Sequence, residues 1–93
     1  MSKIIIETAS ERTETLLRAA IASQIERLQA SAQSSRARLQ AFQMRYGKEL
    51  ADVAAEDLEG GDLEYVEWAG EAEMLRRLED DVRHLKKIEM AHR

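Results

Sequence analysis

An all-α fold, built as a long helical hairpin with coiled-coil packing, is what this sequence predicts. Three observations carry that expectation. The 93-residue chain has no proline, 34% charged residues and only 4% aromatic residues, a balance found in long helices rather than in sheets. Apolar or small side chains recur in steps of four and three over two separate stretches, which is the spacing of a coiled-coil seam. All four glycines fall between Gly47 and Gly70, so the breaks in the chain are gathered in one place. A chain of this size makes a single domain with a modest core.

The first element is a long helix over residues 9–46, preceded by an arm, residues 1–8. Thr8 and Glu11 have the T-x-x-E spacing of a capping box, which marks a helix start near Ala9. No glycine or proline interrupts the chain from there to Tyr46. The seam runs through Ile21, Ile25, Leu28, Ala32, Ser35, Leu39, Phe42 and Tyr46, and is continued loosely upstream by Leu16, Leu17 and Ala20. Gly47 stands where a left-handed C-cap residue belongs. Such a helix is roughly 57 Å long, too long for the core of one small globule, so it must lie along another helix. The arm holds Ile4, Ile5 and Ile6, apolar enough to add a strand to a partner or to a second copy. A ribbon-helix-helix arrangement is disfavoured, because no turn residue follows a short first helix.

A short connecting helix is expected over 49–59, with Leu50, Val53, Ala54 and Leu58 on one face. Gly60 and Gly61 then break the chain, and Asp62 is a good N-cap for a second long helix over 62–91. Its seam runs through Tyr65, Trp68, Ala72, Leu75, Leu78, Val82, Leu85 and Ile88. Acidic residues crowd its start, and Arg83, Lys86, Lys87 and Arg93 lie near its end, both favourable to the helix dipole. Gly70 interrupts this helix and would permit a close approach beside Trp68. The returning helix is shorter than the first. A second copy is therefore expected to cover the remaining seam, giving a homodimeric four-helix assembly.

In such a hairpin Phe42, Tyr46, Tyr65 and Trp68 meet at one end. They either seal the bend over Leu50, Val53 and Leu58 or offer an edge of Trp68 to a partner.

Charge is unevenly spread. Residues 1–48 carry eight Lys/Arg against four Asp/Glu, residues 49–81 carry two against thirteen, and residues 82–93 carry four against one. The acidic middle disfavours nucleic acid, whose phosphates it repels. It suits a basic protein, or it neutralises the positive first helix of its own chain. With no cysteine there is no disulfide, thiolate metal site or cysteine nucleophile. The apolar run in MSKIII is too short for a signal peptide or a membrane span, so the expected compartment is the cytoplasm.

Catalytic patterns are thin. Asp81 with His84 and Glu89 with His92 have the spacing of metal-binding pairs on helices. The first-helix seam offers no inward carboxylates to complete such a site, and ordinary surface pairs explain them. Phosphate-loop and nucleophile-elbow motifs are absent from the sequence. Neither an enzyme nor a bound cofactor or metal is expected.

One stretch resembles a known group. Phe42, Arg45, Tyr46 and Gly47 form F-x-x-R-Y-G; Gly61, Asp62, Tyr65, Glu67 and Trp68 follow in GDLEYVEW; Met74, Leu75 and Leu78 lie in the next turns. This pattern is similar to that of small bacterial and archaeal antitoxin-like proteins encoded beside TumE-type toxins. It covers about the second half of the chain. The resemblance implies a toxin partner and transfers no catalytic residue. The expected function is a non-enzymatic interaction module that covers a basic toxin, with Glu64, Glu67, Trp68 and Glu71 at the centre of the partner surface. The alternative is a self-assembling coiled-coil protein without a separate partner.

Overall fold

The computed structural model describes residues 2–91 and is a two-helix hairpin. Helix α1 spans Ser2–Tyr46 and helix α2 spans Gly61–Ala91. The molecule measures 72 × 18 × 17 Å, the outline of two helices lying side by side. No strand occurs among the described residues.

The helix start differs from expectation. Residues 2–8 are not a separate arm; α1 is continuous from Ser2. Starting a helix is costly and extending one is not. With no breaker ahead of Thr8, extension past the capping-box position is favoured over a strand that would lack an edge to pair with. Met1 lies outside the described residues.

The connector differs too. In place of one helix over 49–59 there are two 3-10 turns, Leu50–Asp52 and Ala55–Asp57, separated by extended Val53 and Ala54. Short i→i+3 bonds close them: Asp52 N–H to the Glu49 carbonyl at 2.9 Å and Asp57 N–H to the Ala54 carbonyl at 3.0 Å. A segment this short is a poor helix by itself. Here it must also reverse the chain and bring Leu58 into the bend, where Leu58 is buried. Gly47 (φ 66°) ends α1, its N–H bonded to the Gln43 carbonyl at 2.7 Å. Gly61 (φ 60°) opens α2, so Asp62 falls inside the first turn rather than at the cap. Both glycines take the left-handed conformation that side chains resist.

The seams pack as the spacing requires. Ile25, Ala32 and Ser35 of α1 and Trp68 of α2 are buried. Ile21, Leu28, Leu39, Phe42 and Tyr46 of α1 are half-buried, as are Leu75, Leu78, Val82 and Leu85 of α2. Two helices share a single line of contact, so the seam residues at its margins are covered from one side only. Ile88 is exposed, because the two successive steps of three, from Val82 to Leu85 and from Leu85 to Ile88, rotate the seam off the contact line. Gly70 makes no close approach: a Cβ there would meet nothing within 4 Å. It lies on the outer side of α2, away from α1.

Ser35 sits in the middle of the seam, 1% exposed, and its hydroxyl has no hydrogen-bond partner. Ser35→Ala should therefore stabilise the hairpin by about 1 kcal/mol, since it removes an unsatisfied buried group. A urea midpoint that drops on this substitution would contradict the packing described.

Candidate partner surface

The bend is organised by aromatic stacking. Trp68 is 1% exposed. The Phe42 ring stacks on it at 5.2 Å and the Tyr46 ring at 5.9 Å. Phe42 and Tyr46 are four apart on α1 and so face the same way, which lets both reach one indole. The Tyr46 hydroxyl donates to Glu64 and accepts from the Glu59 N–H at 3.2 Å. Burial pushes the Tyr46 hydroxyl pKa up, and its bond to Glu64 adds to this. Arg45 lies over the Tyr46 ring at 5.4 Å and pairs with Glu59. That hydrogen bond raises the Arg45 pKa further.

These contacts correct the expected partner surface. Trp68 is an interior residue and offers no edge to a partner. Its bulk is enclosed by two aromatic rings of its own chain. Glu64 and Glu71 face inward to α1 and are held there, Glu64 by Tyr46 and Arg45 (3.9 Å), Glu71 by Arg38. Arg36 reaches Glu79 at 3.6 Å. The basic first helix thus takes up part of the acidic second one. Of the four residues, only Glu67 remains exposed and in no ion pair. The structure therefore does not bring those four together on one surface.

What sequence reasoning missed is the opposite face of α2. Leu63, Val66 and Met74 are each more than half exposed and lie in line with Gly70. Their steps of three, four and four repeat helical spacing, offset from the seam by about half a turn. That second periodicity was available in the sequence, hidden beside a stronger one. Asp62 and Glu67 flank this stripe, and neither takes part in an ion pair among the described residues. Glu49, Asp52, Glu56 and Asp57 of the connector extend the same unneutralised acidity around the bend. Further along α2, Arg76 and Arg77 bond Glu73 at 2.7 and 3.2 Å. The Arg76 hydrogen bond is the main cause that holds the Glu73 carboxyl down to about 2. Glu73 is therefore ionised at neutral pH.

No His/Asp/Glu group suited to a metal ion occurs among the described residues. His84 and Asp81 are exposed, and the pair of Glu89 with His92 lies outside the described residues in part. A groove of about 440 Å³ lies beside the seam, lined by Ala32, Arg36, Glu79, Val82, Arg83 and Lys86 among others. Its one carboxylate, Glu79, is committed to Arg36. No described helix is long and apolar enough to cross a membrane.

The fold and this face define a helical hairpin with an acidic, partly apolar outer surface. No protein-family model, no curated protein and no solved structure matches the chain, so any functional reading rests on the geometry and on the residue pattern.

Proposed function

We propose that this protein is a non-enzymatic interaction module that covers a basic protein partner with the outer face of α2. It acts as a cytoplasmic homodimer of hairpins, four helices in all. The observation that carries the partner reading is the apolar line Leu63, Val66, Met74, flanked by Asp62 and Glu67, which form no ion pair among the described residues. Interfaces combine an apolar centre with a charged rim that steers the encounter. The residue pattern shared with proteins encoded beside TumE-type toxins supports an antitoxin role, with a small basic toxin as the partner.

The test is a titration calorimetry series with the product of the adjacent gene, which this reading expects to be small and basic. Asp62→Lys combined with Glu67→Lys is expected to weaken binding at least about tenfold, mostly through the association rate. Reversal of Glu64 or Glu71 would confuse the result, because both hold α1 in place. Undiminished binding by the Asp62/Glu67 double variant would show that these carboxylates are only a solvated face.

The second reading, self-assembly without a separate partner, is favoured by one observation: Leu16 and Leu17 of α1 are 64% and 57% exposed.

A further inference from the structure

Helix α1 has 45 residues and α2 has 31. The register set by Trp68 on Phe42 and by Glu79 on Arg36 brings the end of α2 level with about residues 19–24 of α1. Beyond that point α1 continues alone. Every side chain from Ser10 to Ala20 is exposed, and burial begins at Ile21. Most of this stretch is Glu, Leu, Arg and Ala, good helix formers, with three weaker positions. Thr13 and Thr15 are β-branched and Ser10 favours caps. A free helix this short is marginal in water. Leu17 lies four residues before Ile21 and extends the seam, with Leu16 beside it.

We infer that this overhang is covered by the overhang of a second copy, running antiparallel, so that two hairpins join end to end. The inference rests on the homodimer part of the reading above and adds where the copies meet. Three features favour a second copy over a foreign protein. Residues 2–20 carry three cations (Lys3, Arg12, Arg18) and three anions (Glu7, Glu11, Glu14), so they attract neither a basic nor an acidic partner, and two copies do not repel. A two-fold axis between residues 11 and 12 sets Ser10 level with Thr13 of the second copy on the face that Leu17 and Ile21 continue, so no charge is buried there, and that pairing occurs twice. The same register brings Leu17 level with residue 6 of the second copy, within the Ile4–Ile6 run. The second copy's helix then begins where α2 stops, and the lane that α2 leaves open is filled along its length.

End-to-end pairing has a dimension that other dimers lack. Two molecules of 72 Å overlapping by about 30 Å make a rod of about 115 Å, whereas hairpins packed side by side remain close to one molecular length. Sedimentation equilibrium and small-angle scattering on the full chain test this. A dimer with a maximum dimension near 115 Å is expected, and Leu16→Asp with Leu17→Asp should convert it to a monomer that keeps the near-ultraviolet signal of packed Trp68. Leu63→Asp with Val66→Asp should leave the dimer intact. A compact dimer, or one that survives the Leu16/Leu17 double variant, overturns the end-to-end arrangement while leaving the homodimer reading standing. A monomeric parent protein overturns both.

Discussion

Trp68→Ala is expected to destabilise the hairpin by about 3–5 kcal/mol, the cost of emptying a large aromatic site in a core that cannot collapse to fill it. The indole is stacked between Phe42 and Tyr46, and each lost stacking contact adds about 0.5–1.5 kcal/mol to simple area loss. Few side chains here are fully buried, so no neighbouring layer can take over. A small domain has only about 5 kcal/mol or slightly more to lose, and the variant should therefore be substantially unfolded at ambient temperature. Far-ultraviolet circular dichroism across a urea titration measures it. Trp68→Phe, which keeps one ring face, should fall between the two. An unchanged midpoint for Trp68→Ala would mean that the indole is exposed in solution, and would return it to the partner surface.

The seam was legible because burial on a helix imposes a period that survives in the sequence. Spacing alone places Ile25, Ala32, Leu39, Phe42 and Tyr46 on one face, and they lie there. The pairing of charges was less legible. Which arginine meets which glutamate depends on how far α2 slides along α1. That sliding is fixed by Trp68 seating between Phe42 and Tyr46, a packing event with no signature in local spacing. Local spacing therefore leaves Glu64 and Glu71 free to face a partner, although they point to Tyr46 and Arg38. The connector was illegible for another reason. Leu50, Val53, Ala54 and Leu58 do match a helical face, but a short segment that must also reverse the chain obeys end-point geometry before propensity. At the N-terminus a capping box is present without the break that would make it act as a start.

Leu58→Ala should destabilise the protein by about 2–5 kcal/mol, although Leu58 belongs to neither helix. It is the buried residue of the connector, and the adjacent Glu59 N–H donates to Tyr46. Undocking Leu58 would thus release the hydroxyl that also holds Glu64. Because Leu58 and Trp68 secure the same bend, their alanine substitutions should not add; a coupling of at least about 0.5 kcal/mol is expected from a double-mutant cycle. Met44→Ala, on the exposed side of α1, serves as the control and should stay within about 0.5 kcal/mol of the parent. The consequence reaches the partner surface. Glu49, Asp52, Glu56 and Asp57 ride on the connector that leads into Asp62, so a connector that swings free spreads the acidic field proposed above to steer a basic partner. Leu58→Ala should then slow association even under conditions where the hairpin remains folded. Stopped-flow association rates at low salt, compared with those of the Met44→Ala control, read this directly. Equal rates for the two variants would mean that the connector's carboxylates act without a fixed position and that only the face of α2 matters.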